Sequence, residues 1–223
     1  MPASFLPKKS LVLGPYSVHA LLHQDKTELR RPVKDLSPAL EGVQALPADK
    51  LKRLLWRCPY GQENGRLYVR EDWKPAPEPD GDNPTSPYRY RADTILDQPG
   101  PTDWLSAREM PRQAVRLRLQ LTGVRVERLH QMSAVDAIAE GIGSGFTLGP
   151  GWPDYQSLTN GEALRCDQPT PLASYATLWE SLYGPNAWIT NPWVYALTFK
   201  VLPAKTTKKN RPRKNTTHCL TEY

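Results

Sequence analysis

The chain has 223 residues, 39% of them hydrophobic, with 23 prolines and a mean hydropathy of −0.58. That is long enough for one domain of ordinary size with a buried core, and the prolines leave much of the rest to loops, since proline lacks the amide that ladders and helix interiors require. The formal net charge is +6. Lys205, Lys208, Lys209, Arg211, Arg213 and Lys214 against Glu222 place +5 of it from Ala204 onward and leave +1 for the body, so general basicity of the fold is no evidence for nucleic acid.

Gly14-Pro15 precedes a short helix expected from a Ser17 cap to His23, with Val18, Leu21 and Leu22 on its inner side. DKTELRR follows, and Pro32 stops any continuation. Leu51, Leu54, Leu55 and Cys58 fall at i, i+3, i+4 and i+7 and predict a core helix from about Ala48 to Arg57. RLYVRED reads as a half-buried strand, Leu67 and Val69 pointing one way and Tyr68 and Arg70 the other. Residues 75–87, PAPEPDGDNPTSP, are turn formers and predict an exposed loop. A short strand around Tyr88 to Ala92 and a turn-rich excursion to Pro111 come next.

The clearest alternation sets Val115, Leu117, Leu119 and Leu121 against Arg116, Arg118 and Gln120, with a break or bulge at Thr122-Gly123 before Val124, Val126 and Leu129. Ser133 and Asp136 have capping-box spacing for the helix of SAVDAIAEG, which Gly141 ends. Residues 143–172 read as a second long insertion. A helix from about Ser174 to Tyr183 offers Leu178, Trp179, Leu182 and Tyr183 to the core, and WVYALTFKV is a strand apolar enough to be buried on both faces. The expected fold is α+β, a small, curled, mostly antiparallel sheet with flanking helices. It forms one domain over 1–203, with a basic tail at 204–223 that is disordered alone.

Several chemistries are excluded. His19 and His23 have ligand spacing on one helix, but H-E-x-x-H is absent and no third ligand follows, so no metal is expected and solvent-facing histidines explain the pair. No Walker or Rossmann glycine loop is present, no other cofactor is implied, and Gly143-Ser144-Gly145 is one residue short of a nucleophile elbow. No apolar run approaches the ~20 residues of a membrane span, and the first residues lack an apolar core of signal-peptide length. Cys58, Cys166 and Cys219 are widely spaced and odd in number. A soluble protein of a reducing cytoplasm is expected.

Nine stretches occur in an order that resembles ASCH domains of the PUA-like superfamily, most closely the version common in phage and prophage proteins. They are KTELRR (26–31), CPYG (58–61), GRLYVREDW (65–73), YRAD (90–93), MPRQAVRL (110–117), TGVRVERL (122–129), AIAEG (137–141), LWESLYG (178–184) and NPWVYALTFK (191–200). The resemblance implies a small β-barrel with a cleft for RNA, a nucleotide or a modified base, in a bacterial or phage-infected cell. Some ASCH proteins hydrolyse the acetyl amide of N4-acetylcytidine and others are described as ribonucleases. On that pattern Lys26, Arg31 and Glu140 match the family lysine, motif arginine and helix-end glutamate. Gln24 stands where a small residue is usual, and Leu29 where threonine or glutamate is.

The residues support more than one role. A lysine beside Arg30 and Arg31 loses its proton more readily, Glu140 can orient it or carry a proton, and Thr27 offers a neighbouring hydroxyl. Equally, Lys26, Arg30 and Arg31 read as a surface anion patch with Glu140 pairing one of them. Tyr68, Trp73 and Tyr90 can stack on unpaired bases or close a core, and Arg70 with Glu71 can read a base edge or satisfy each other. Three functions follow as expectations: a module binding RNA, single-stranded nucleic acid or a modified nucleoside; an amidohydrolase on an acylated cytidine; and a phage protein that blocks a host protein through its insertions.

Overall fold

The computed structural model describes residues 9–34, 36, 40, 42–76, 86–94, 103–143, 150–160 and 162–203. The basic tail and the centre of the 75–87 loop lie outside these residues. In chain order the described strands and helices begin with β1 (Ser10–Val12), α1 (Pro15–Leu22), β2 (Glu28–Pro32) and α2 (Ala48–Trp56). Next come β3 (Arg66–Arg70), β4 (Trp73–Pro75), β5 (Tyr88–Tyr90), β6 (Arg118–Arg128) and α3 (Ala134–Ala139). The last are β7 (Trp152–Asp154), α4 (Gln156–Thr159), β8 (Arg165–Gln168), α5 (Pro171–Tyr183) and β9 (Trp193–Leu202).

The class is α+β. A five-stranded mixed sheet runs β1-β3-β6-β9-β2, with β1 parallel to β3 and the other joins antiparallel. Pairs β4-β5 and β7-β8 form two small separate sheets. Among the described residues no ladder joins β1 to β2, so the strands do not close a barrel. The two edges are nonetheless near, since the Arg31 guanidinium on β2 donates to the Val12 carbonyl of β1 over 3.2 Å.

β6 and β9 form the spine. The register slips between Leu121 and Gly123, a bulge at the expected place, and a Cβ on Gly123 would lie 2.6 Å from Thr198 Oγ1. The continuous apolar run of β9 has a simple cause: its alternate residues serve different cores. Tyr195, Leu197 and Phe199 join Leu11, Val18, Leu21, Leu67, Val69 and Leu119 in one cluster, while Val194 packs with Leu129, Tyr155, Tyr175 and Trp179 in another.

Several expectations need correction. α1 starts at Pro15 rather than Ser17: Gly14 is the N-cap with no side-chain cap, and a proline at the first helical position loses only an amide that would be unsatisfied anyway. Its buried residues are Val18, His19, Ala20 and Leu21, and Leu22 is exposed. α2 is a surface helix, not a core one. Its leucines are half-buried, Trp56 is 81% exposed, and only Cys58 beyond its end is buried. The 143–172 insertion is not plain loop, for it holds β7, α4 and β8, with Tyr155 buried in the second cluster. On α5, which begins at Pro171 under a Thr170 cap, Ser174, Tyr175 and Trp179 are buried while Leu182 and Tyr183 are exposed.

Candidate functional site

The site is assembled where the lead-in to β2 meets the end of α3. Gln24 takes a left-handed φ of 64°, a backbone state that favours glycine or asparagine, and turns the chain off α1. The amides of Asp25 and Lys26 then both bond the Ala20 carbonyl. Thr27 N–H donates to the Ala139 carbonyl over 2.8 Å and Lys26 pairs with Glu140 as an isolated antiparallel bridge. Ser133 and Asp136 cap α3 reciprocally, and Gly141, at φ 85°, ends it. A Cβ on Gly141 would fall 2.6 Å from the Ala20 Cβ and 3.1 Å from the Lys26 Cβ, so this close approach needs glycine.

Lys26 is only 1% exposed. Its Nζ donates to Glu140 Oε2 over 2.7 Å and to the Glu140 backbone carbonyl over 2.6 Å. Burial lowers the Lys26 pKa, the Glu140 carboxylate opposes that shift, and the cations of Arg31 and Arg30 reinforce it. The other carboxylate oxygen of Glu140 accepts from Tyr175 OH over 3.2 Å. Burial, then the Glu140 charge, pushes the Tyr175 pKa well above its usual value, so this phenol stays a donor. Arg30, also 1% exposed, pairs with Glu127 at 2.9 Å, Glu28 at 3.0 Å, Asp136 at 3.6 Å and Glu140 at 3.6 Å. It reaches Glu127 on β6 across Ala196, a small residue of β9 directly opposite both Arg30 and Arg125. The surface-anion-patch alternative therefore fails for Lys26 and Arg30, whose charges are inside and compensated by carboxylates.

These groups face a cavity of about 350 Å³. Lys26, Arg30 and Glu140 contribute its charged wall, Leu29 and Leu178 apolar wall, and Tyr16, Tyr155, Tyr175 and Trp179 its rings. The half-buried Arg31 and the exposed Arg91 line it as well. Arg91 has Asp72 at 3.4 Å, whereas Arg31 donates to Val12 and Arg30 carbonyls and to Tyr183 OH, with no carboxylate partner among the described residues. Such a pocket can hold a flat, partly apolar molecule between rings, offer its polar edge a donor and an acceptor, and meet an anionic group with Arg31.

Of the residues singled out in the sequence, Lys26, Arg30, Arg31 and Glu140 are brought together here. Thr27 is exposed and lines a different surface hollow with Leu22 and Phe199, so it supplies no hydroxyl to Lys26. Leu29, 3% exposed, is packed into the first core as well as lining the cavity. Tyr68 and Arg70 sit half-buried on the face of β3 opposite Leu67 and Val69 and do not line the cavity. Glu71 does not pair with Arg70. It is buried and held by Arg116 through two 2.9 Å bonds, and the same guanidinium also donates to Asp93. Trp73 and Tyr90 pair in the β4-β5 sheet and pack with Met110 and Ala114 in a third cluster; Tyr90 OH donates to the Ala114 carbonyl and its ring carries the Arg116 guanidinium at 3.9 Å. Stacking on a base is therefore not available to these two rings, because core and cation already cover them.

Sequence reading missed Tyr16, Arg91, Tyr155 and Tyr175. Tyr175 carried a signal, since it lies at i−3 and i−4 to Leu178 and Trp179 on the buried face of α5. His19 is buried and stacks on His23 with centroids 4.1 Å apart, so the histidines are not both solvent-facing. Among the described residues no group of three His, Cys, Asp or Glu is placed to hold a metal, and no helix is long and apolar enough to cross a membrane.

No family model matches the chain, and no curated protein does. Among solved structures, the crystal structure of protein EF3133 from Enterococcus faecalis V583, described by the family model DUF984, aligns over 93% of this chain and 88% of its own. Identity is 11% and the TM-score 0.38, too low to establish a common fold.

Proposed function

We propose that the chain is an ASCH-type, PUA-like domain whose curled sheet and cavity bind a nucleoside-sized unit, a modified nucleotide or an unpaired base of RNA. One observation carries this reading: a buried Lys26-Glu140-Tyr175 cluster opens onto a cavity of about 350 Å³ walled by aromatic rings and met by Arg31. A base fits the demands of that pocket, because its faces are apolar and its edge carries donors and acceptors, while a sugar phosphate supplies the anion for Arg31. The ordered ASCH-like stretches support the same ligand class. The test is to denature protein purified from cells and identify released nucleosides by mass spectrometry. Stoichiometric recovery of one nucleoside or nucleotide from wild type, reduced in Arg31→Ala, is expected; equal recovery from both, or none from either, sinks the reading.

A second reading, amidohydrolase on an acylated cytidine, is favoured by one further observation: Lys26 Nζ lines the cavity 2.7 Å from Glu140, and burial, reinforced by two arginines and opposed by Glu140, shifts its pKa down, the direction a base requires. With Leu29 apolar and Thr27 outside the cavity, the nucleophile is water. Lys26 takes its proton, the C–O bond forms at the acyl carbon, and the C–N bond breaks as the proton passes to the leaving amine by way of Glu140, giving a carboxylic acid and the free amine. Incubation with a panel of acylated nucleosides decides it: turnover by wild type that Lys26→Ala abolishes supports hydrolysis, and turnover equal in both rules it out.

A further inference from the structure

A second hollow lies on the other side of the end of β2. It has a volume of about 460 Å³ and is lined by Lys34, Lys50, Arg53, Arg57, Tyr60 and Tyr195, among others. Two elements build its charge: Lys34 follows β2, Lys50 and Arg53 lie on α2, and Arg57 is the residue that ends that helix. Arg53 is paired with Asp49 at 3.2 Å, but among the described residues Lys34, Lys50 and Arg57 have no carboxylate partner. A half-buried ring, Tyr60, and a buried one, Tyr195, shape the floor. Tyr60 and Tyr195 meet edge to face at 6.1 Å, and Tyr195 OH donates to the Leu54 carbonyl of α2, which fixes the helix against the sheet. Trp56, exposed by 81%, is three residues from Arg53 and so stands beside it on the helix surface. The body of the chain is nearly neutral, so three cations with no carboxylate partner among the described residues are, around one hollow, a local concentration rather than a share of general basicity.

The two hollows adjoin. Arg31 lines the first and its cross-strand partner Tyr195 the second, and the Arg31 charge acts on the Tyr60 phenol. The geometry points to a phosphate track: the groove of Lys34, Lys50 and Arg57 holds the backbone of a single-stranded nucleic acid whose neighbouring base enters the Lys26 cavity. Both cation types suit phosphates, Lys34 and Lys50 as point charges on flexible stems and Arg57 as a planar fork that can meet two phosphate oxygens. An exposed indole beside them suits an unstacked base. The track rests on the base-binding reading for the choice of strand, but its energetics are separate, because none of its cations touches the Lys26 cluster.

The experiment is fluorescence anisotropy on the full chain with a labelled single-stranded RNA of about twelve nucleotides, a length within reach of one such domain, over a series of salt concentrations. The triple variant Lys34→Ala, Lys50→Ala, Arg57→Ala changes exposed or half-exposed side chains, and a thermal melt confirms its fold. The tail contributes equally to both proteins. Since each phosphate contact on a single strand contributes about 0.7 to the slope of log K against log salt, the variant is expected to lose about 2 from that slope, with the loss uniform across RNA sequences. An unchanged slope overturns the track, as does tighter salt-dependent binding to anionic vesicles or polyglutamate than to RNA. Titration with a nucleoside monophosphate separates the two proposals. Mononucleotide binding with an unchanged RNA slope leaves the cavity reading standing and removes the track; a reduced RNA slope with no mononucleotide binding does the reverse.

Discussion

Glu140→Gln isolates the buried charge of Lys26. The wild-type pair is at 2.7 Å with both side chains almost fully enclosed, at 1% and 2% exposed. Glutamine preserves shape and leaves the backbone carbonyl to Lys26, but its single oxygen can serve either Tyr175 or Lys26, so the change removes the charge and one of the two acceptors. Arg30 and Arg31 then repel the ammonium without an opposing carboxylate beside it. Breaking a buried pair on one side costs about 3 to 5 kcal/mol, and at about 2 to 4 °C per kcal/mol for a chain of this size the melting temperature at pH 7 should fall by roughly 6 to 20 °C. The sign of the pH dependence follows from Lys26. Its pKa is already lowered in the folded protein and falls further without Glu140. Between that value and the unfolded lysine value, the unfolded chain binds more protons and stability rises with pH. The variant should therefore recover stability on raising the pH toward about 10, the unfolded lysine range, over a wider window than wild type. Lys26→Met/Glu140→Gln should be less destabilised than the two single changes summed, by a coupling of about 0.5 to 3 kcal/mol. Urea and thermal melts at several pH values read all of this. A Glu140→Gln protein that melts within about 2 °C of wild type, with the same pH slope, would refute the claim that this pair is desolvated and coupled.

Gly141→Ala should cost about 1 to 3 kcal/mol, because alanine is strained at φ 85° and its Cβ would press on Ala20; chemical denaturation measures it. Thr170→Ala removes the hydroxyl that accepts from the Ala173 amide and should cost about 1 kcal/mol, with no effect on ligand recovery. In an ultraviolet pH titration Tyr175 should remain protonated until the protein unfolds, since burial and the Glu140 charge both oppose ionisation; Tyr175→Phe should leave the native titration curve below that point unchanged.

Local pattern carried much of the fold. Alternation in β6, the bulge at Gly123, the capping box of Ser133 and Asp136 and the double-faced burial of β9 all depend on neighbours within a few residues. Residues far apart decided the rest. Lys26 and Glu140, 114 positions apart, were linked in sequence only through the ASCH resemblance. Trp73 and Tyr90 lie on strands, as read, but alternation tells which side a residue faces and not which sheet it joins; theirs is the small β4-β5 sheet, sealed by Met110. Glu71, just past the end of β3, is buried and met Arg116 rather than the adjacent, half-buried Arg70, a choice of partner that adjacency in sequence does not reveal. The helical period of α2 was real, yet it marks a half-buried stripe on the surface, which periodicity cannot distinguish from the centre of a core.

The most direct measurement is isothermal titration of nucleoside 5′-monophosphates, acylated and plain, into wild type and into Ser181→Trp, which places an indole in the cavity from a half-buried position on α5. The account predicts one equivalent of at least one nucleotide bound by wild type and none by a folded Ser181→Trp. Equal binding by both proteins, or no binding of any nucleotide by wild type, would contradict it.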